Sequence, residues 1–221
     1  IMTATLPYIL FAAAGYLVGG VPFGLLLGKA RGVDVRTQGS GNIGATNVGR
    51  TCGRGWGILC FVLDSQKGML PVLAAAHLAS AHELNATWAA VLVAAATVAG
   101  HMASPYLRFR GGKGIATSAG AILALAPWAV VAAFAVWLLV LALWRYVSLA
   151  SICAAAALPL GAAGLQLYSR RADDEPLDLP LLGMLTLIGA LAIFRHRSNI
   201  RRLMAGTENK IGTKEEAPET T

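Results

Sequence analysis

Three polar segments hold most of the side chains that could bind a ligand, and each lies between long apolar stretches. The first, GSGNIGATNVGR, runs from Gly39 to Arg50. Its glycines permit tight turns and close approach of the backbone to a ligand, and its arginine is a planar donor suited to phosphate. The segment predicts an anion-binding loop; the alternative is a connector whose Ser and Asn side chains cap the next helix. The candidate binding residues are Ser40, Asn42, Thr46, Asn47 and Arg50.

The second segment starts at His101 and ends in FRGGKGIAT, which is superficially similar to a phosphate-binding P-loop. The pattern GxxxxGK[ST] is not met, because Leu107 occupies the place of the first glycine and Gly114 that of the Ser or Thr. This excludes a P-loop ATPase. A Gly-rich turn before a helix is still expected to point free N–H groups at an anion beside Lys113. The alternative is a helix-start loop with snorkelling cations.

The third segment, RHRSNIRRL, is followed by Gly-Thr-Glu, ending at Glu208. In a helix, His196 and Asn199 would share one face, since they lie three residues apart. A polybasic segment that binds anionic lipid would explain the arginines. It would not explain His196, Asn199 or Glu208, so these are candidates for a binding site.

Two ionisable residues, Asp64 and Lys67, interrupt an apolar stretch. Each costs about 2.5–3.5 kcal/mol near the centre of a membrane helix. Their spacing places them on one helix face, which predicts an ion pair. The pair serves either function or helix packing.

The apolar stretches that position these segments predict an all-α polytopic membrane helix bundle. Hydrophobic residues make up 56% of the chain and charged residues only 13%, against about 25% charged in average globular proteins. The fourth and fifth of seven predicted spans could form one bent element around Pro127. The spans are Leu6–Lys29, Gly55–Leu78, Thr87–Ala103, Gly114–Leu125, Pro127–Trp144, Val147–Leu167 and Leu179–Phe194.

Positive charge is sorted to one side of these spans, which accounts for the net charge of +7 without nucleic acid as a partner. An odd number of spans then places the N-terminus outside and the C-terminus in the cytoplasm. Residues 1–206 are predicted to form the membrane domain and residues 207–221 a flexible cytoplasmic tail. No Cys or His spacing indicates a metal site. The predicted cytoplasmic cations are Arg31, Arg36, Arg50, Arg54, Arg108, Arg110, Lys113, Arg145, Arg195, Arg197, Arg201, Arg202, Lys210 and Lys214.

Taken together, the segments resemble the bacterial acyl-phosphate:glycerol-3-phosphate acyltransferases, small integral-membrane enzymes of phospholipid synthesis. The resemblance rests on GSGNxGATN, GH…FxGGKGxAT and RHxxNIxRL in this order, and it extends from Gly19 to Glu208. It implies transfer of a fatty acyl group from acyl phosphate to glycerol 3-phosphate, giving lysophosphatidic acid and phosphate. It also implies that the protein lies in the bacterial inner membrane among membrane lipids and needs no cofactor. A soluble enzyme that makes acyl phosphate is a candidate partner.

The resemblance assigns roles by motif position. Ser40, His196 and Asn199 are the expected catalytic residues and, with Arg50 and Lys113, the expected contacts of the substrate phosphates. Asn42, Thr46 and Asn47 are expected to shape the first loop and line the substrate site, and His101 is expected to support the second loop and contact the substrate.

No Ser-His-Asp or His-x4-Asp arrangement is visible, which favours direct transfer from an activated donor without an acyl-enzyme. The alternative function is a transporter of a phosphorylated metabolite. A transporter would, however, carry polar residues near the midplane and on both sides of the membrane.

Overall fold

The computed structural model describes residues 2–173 and 177–211, and this part of the chain is entirely helical, without a β-strand. Sequence-based expectations for Asp174, Glu175 and residues 212–221, which form most of the predicted tail, lie outside the described residues. A short 3-10 turn occupies Pro105–Leu107. The helices are α1 (Met2–Gly20), α2 (Phe23–Ala30), α3 (Ala45–Cys52), α4 (Arg54–Ala81), α5 (Ala86–Met102), α6 (Ile115–Leu125), α7 (Pro127–Trp144), α8 (Val147–Asp173), α9 (Leu179–Arg195) and α10 (Arg197–Met204).

Five helical stretches of the described chain are long and apolar enough to cross a membrane, which makes this a multi-pass membrane protein. A sixth is reached if α9 and α10, which meet at an angle of 53°, are taken together. Helix α6 is apolar, but its 11 residues extend only about 16 Å, roughly half of a bilayer core. The five stretches are Thr5–Ala30, Arg54–Ala81, Ala86–Leu107, Pro127–Trp144 and Val147–Arg170.

The sequence left open whether the fourth and fifth predicted spans form one bent element around Pro127. In the structure they are two helices, α6 and α7. Helix α6 ends at Leu125, Ala126 has φ −144° and ψ 70°, and Pro127 is the first residue of α7. Proline suits that first position because the N–H that it lacks would have no partner in the helix.

The first predicted span, Leu6–Lys29, is not one continuous helix. Pro22 cannot donate an N–H and its ring disturbs the preceding turn, so α1 ends at Gly20 and α2 begins at Phe23. Side chains from elsewhere in the bundle bind the two exposed carbonyls. Ser104 Oγ donates to Gly20 O and Lys67 Nζ donates to Val21 O, both at 2.6 Å.

Glycines set the closest contacts between helices. A Cβ on Gly68 of α4 would collide with the Thr117 carbonyl of α6, and one on Gly120 with the Ser65 carbonyl of α4. Lipid offers no hydrophobic drive for helix association, so small residues that let backbones approach carry much of the packing. Helix α5 packs against α1, α4 and α6, and α8 packs against α7 and α9.

We expect Gly120→Ala to destabilise the bundle by about 1–3 kcal/mol, because the added methyl meets rigid backbone of α4. The melting temperature in detergent, followed by circular dichroism, should fall by about 2–4 °C for each kcal/mol. Gly164→Ala is the matched control, since a Cβ at Gly164 in α8 meets nothing within 4 Å. If Gly120→Ala had the same melting temperature as Gly164→Ala, the contact between α4 and α6 would be looser than in this structure.

Candidate active site

Asn47 organises the first polar loop, residues 31–44, from its buried position in the first turn of α3. Its Oδ1 accepts the Ser40 N–H at 2.8 Å, and its Nδ2 donates to Val35 O at 2.8 Å and Gln38 O at 3.1 Å. Asn42 Oδ1 accepts the Gly44 N–H at 2.8 Å immediately before the helix. Both amides therefore hydrogen-bond the backbone of this loop.

The remaining candidates of the first loop are exposed: Ser40, Thr46 and Arg50. Gly39 and Gly41 flank Ser40 with φ of +56° and +68°, where a side chain would be strained. Thr46 and Arg50 lie four residues apart in α3 and so share a face. The first segment thus presents two hydroxyls and a guanidinium to solvent.

The glycine-rich turn of the second segment doubles back along the end of α5. Gly111 N donates to Met102 O and Gly112 N to His101 O, both at 3.1 Å. The expectation that this turn points free N–H groups at an anion is therefore wrong for these two glycines, because their N–H groups bind backbone carbonyls. Arg195 secures the turn from the other side, donating to Gly111 O at 2.8 Å and to Gly112 O at 2.9 Å.

A chain of charged hydrogen bonds joins the second and third segments. Lys113 Nζ donates to Asn199 Oδ1 at 2.5 Å, and Asn199 Nδ2 donates to Glu208 Oε1 at 2.7 Å. Glu208 also accepts from Ser148 Oγ at 2.8 Å and Arg202 Nε at 2.6 Å. Asn199 is buried, so its amide fixes the ammonium of Lys113 in place.

The electrostatics of this cluster are dominated by cations. Burial is the main reason why the pKa of Lys113 falls to about 8; Glu208 opposes the fall, and Arg202, Arg50 and Arg195 add to it. Burial would raise the pKa of Glu208, but hydrogen bonds from Asn199, Ser148 and Arg202 outweigh it and lower that pKa. Among these arginines, Arg50 belongs to the first segment.

His196 lies at the junction of α9 and α10, and it is 3% exposed. Its Nδ1 is 2.7 Å from Ala192 O. A carbonyl only accepts, so Nδ1 carries the proton and Nε2 of the neutral ring is left as an acceptor. His196 also interacts electrostatically with Lys113 and Glu208, which places it in the same cluster.

His101 is buried beneath the second loop. Its Nδ1 is 3.8 Å from Asp64 Oδ1, and its Nε2 packs so closely against Gly112 that a Cβ there would collide with it. This geometry matches a support for the loop and keeps the ring away from solvent.

An open cleft of about 550 Å³ lies between the first and second segments. It brings three arginines together beside the glycines of both loops. Of the described residues, no three His, Cys, Asp or Glu side chains are grouped so that they could hold a metal ion. The lining residues are Arg36, Gly41, Asn42, Ile43, Tyr106, Leu107, Arg108, Arg110 and Gly111.

Several contributors to the site are not evident from the sequence. In the sequence, Arg195 and Arg202 look like two members of a basic cluster. In the structure, Arg195 donates to the Gly111 and Gly112 carbonyls, and Arg202 donates to Glu208. Ser148 begins a helix far along the chain and has no local pattern that marks it. The contacts of these residues depend on how α8, α9 and α10 meet.

Comparison with known proteins gives a consistent result. Residues 9–206 match the model of the family described as glycerol-3-phosphate acyltransferase. The chain is 48% identical over 201 residues to the glycerol-3-phosphate acyltransferase of Geotalea daltonii, covering 91% of this chain and 96% of the relative. It is 50% identical over 210 residues to that of Trichlorobacter lovleyi, covering 95% and 99%.

Solved structures agree with the sequence relatives. The glycerol 3-phosphate form of PlsY, an integral membrane glycerol 3-phosphate acyltransferase, superposes with a TM-score of 0.79 at 38% identity, covering 93% of this chain and 96% of that chain. Its lysophosphatidic acid form gives a TM-score of 0.77 at the same identity and coverage. This chain therefore belongs to the glycerol-3-phosphate acyltransferase family.

Proposed function

We propose that this protein transfers a fatty acyl group from acyl phosphate to glycerol 3-phosphate, giving lysophosphatidic acid and inorganic phosphate. The observation that carries the proposal is the Lys113–Asn199–Glu208 chain of hydrogen bonds, which joins two of the three motifs at a cationic site. The structural relatives solved with glycerol 3-phosphate and with lysophosphatidic acid support the acceptor and the product.

The site provides two groups of cations for two phosphorylated reactants. Lys113 and Arg50 form one group, and the phosphate of glycerol 3-phosphate is the ligand that we assign to it. The cleft beside the loops forms the other group, with Arg36, Arg108 and Arg110. Arg36 already donates to both carboxylate oxygens of Asp34, at 2.9 and 2.6 Å. Arg108 and Arg110 are therefore the arginines that we propose to bind phosphate through paired N–H donors.

An acyl phosphate is already activated, so the protein has little covalent chemistry to perform. The acceptor hydroxyl oxygen attacks the acyl carbon, the bond from that carbon to the phosphate oxygen breaks, and phosphate leaves. Orientation of the two reactants supplies up to about 7–11 kcal/mol. The exposed hydroxyl of Ser40 and the cation of Lys113 stabilise the developing negative charge.

The hydroxyl proton goes to a phosphate oxygen of the substrate or to His196. Nε2 is the acceptor of that ring, because Nδ1 donates to Ala192 O. Asn199 acts by holding Lys113. No acyl-enzyme is formed in this scheme, so a burst of phosphate or a trapped acyl-Ser40 would contradict it.

We further propose seven spans, with the N-terminus outside, the C-terminus in the cytoplasm and the site on the cytoplasmic side of the bacterial inner membrane. The five long spans and the α9–α10 pair give six candidate crossings. We count the short α6 as a seventh, because an odd number of crossings agrees with the sorting of positive charge. The membrane domain ends near residue 206. The first tail residues contact the domain, since Ile211 N donates to Arg145 O at 2.8 Å.

The function is tested with purified protein in detergent, glycerol 3-phosphate and palmitoyl phosphate, with phosphate release and lysophosphatidic acid both measured. We expect one phosphate for each lysophosphatidic acid. The coenzyme A and acyl carrier protein thioesters of the same acyl chain serve as alternative donors. Transfer from a thioester without transfer from acyl phosphate would refute the proposed donor.

Lys113→Ala and Arg50→Ala are expected to lower kcat/KM for glycerol 3-phosphate by about 100- to 1,000-fold, because each removes a cation that we assign to the substrate phosphate. The thermal melt should stay close to that of the wild type. Arg201→Ala is the matched control, an exposed arginine two residues from Asn199. Rates near wild type in Lys113→Ala would rule out the assigned phosphate site.

The pH profile reports on Lys113, whose pKa is lowered to about 8. The ammonium is charged below that value and neutral above it, so kcat/KM for glycerol 3-phosphate should fall as the pH rises through about 8. Lys113→Arg should remove this alkaline limb, since a guanidinium stays charged. An identical limb in wild type and Lys113→Arg would assign the titration to another group.

A further inference from the structure

A buried charged cluster lies in the membrane helices and takes no part in the chemistry proposed above. Asp64 and Lys67 of α4 form an ion pair at 2.7 Å, and each side chain is 2% exposed. His101 of α5 is 4% exposed, and its Nδ1 faces the same Asp64 oxygen at 3.8 Å. Charges inside apolar spans are costly, so the contacts that they make indicate what they do.

Lys67 connects this cluster to the first loop. Its Nζ donates to Val21 O at the break between α1 and α2, and it lies 5.6 Å from the centre of the Phe23 ring at the start of α2. Helix α2 leads directly into residues 31–44, which contain Ser40. Lys67 therefore holds the backbone at the break before α2, the helix to which the first loop is attached.

His101 connects the same cluster to the second loop. Its carbonyl accepts the Gly112 N–H at 3.1 Å, and its ring packs against Gly112, the residue before Lys113. Its carboxylate neighbour Asp64 favours a proton on Nδ1, which leaves Nε2 toward the glycine turn. Ser104, three residues on, binds Gly20 O at the same helix break.

We propose that Asp64, Lys67 and His101 are positioning residues that fix the first and second loops relative to each other, so that the two substrates meet in reactive geometry. The inference rests on the proposed acyl transfer. A pair that served helix packing alone would not need to bind the backbone at the break before α2 or to face the histidine that packs against the second loop. Here one member binds the carbonyl that precedes the first loop, and another supports the residue beside Lys113.

The test uses the full chain, with both charges removed together as Asp64→Asn with Lys67→Met, so that no lone charge remains among apolar helices. We expect a folded protein whose kcat is lower by about 100-fold, the effect of a displacement of about 1 Å at the reacting atoms. Hydrogen exchange at the Gly111 and Gly112 amides should be faster than in the wild type.

His101→Gln gives a second measurement in case the double variant does not fold. We expect it to lower kcat by about 10-fold or more and to raise exchange in the same turn. Thr97→Val is the matched control, because Thr97 is a buried polar residue of α5 whose hydroxyl binds only a carbonyl of its own helix, Ala94 O. Its kcat and its exchange should match the wild type.

A merely structural role would lower the melting temperature and leave kcat for each folded molecule unchanged. Either that result or a wild-type kcat in a folded variant would overturn the inference. An equal loss of kcat in Thr97→Val would overturn it as well. Failure of the wild type to transfer the acyl group from acyl phosphate would instead refute the proposed function. The exchange measurement would still show in that case whether the three residues hold the loops.

Discussion

Every polar group inside the lipid must find its partner within the protein, and this constraint explains the main irregularities of the fold. The break at Pro22 leaves two carbonyls without helical partners, and Ser104 and Lys67 supply them. Lys67 in turn requires Asp64, because an ammonium alone would be costly there. The same contacts tie α1, α4 and α5 together at the level where the substrate loops begin.

The site itself is built from side chains that are held before any substrate binds. Asn199 accepts a hydrogen bond from Lys113 and donates one to Glu208. Arg195 donates to the carbonyls of the glycine turn. A site of this kind does not need to reorganise as charge develops, which is the main source of electrostatic catalysis. Burial is the main cause of the lowered pKa of Lys113, and neighbouring arginines add to it; a bound phosphate would offset the repulsion from those arginines.

The glycine-rich turn shows why similarity to a P-loop is only partial. In a P-loop the backbone N–H groups cradle the phosphate. Here the N–H groups of Gly111 and Gly112 bind the end of α5. The glycines serve close packing against His101 and free the side chain of Lys113 to reach the third motif. The proposed phosphate site therefore relies on side chains more than on the backbone.

The sequence alone determined the helical class, the three polar segments and the approximate limits of the membrane helices after the first, because hydrophobic length and motif spacing are local properties. It also predicted the Asp64–Lys67 pair, since residues three apart share a helix face. It did not predict that the first span is broken into α1 and α2 at Pro22. Only the tertiary structure decided that Arg195 clamps the glycine turn, that Ser148 reaches Glu208 and that His101 faces Asp64. These contacts join residues from 37 to 84 positions apart, and no local pattern determines which helices pack together or which carbonyls a broken helix leaves exposed.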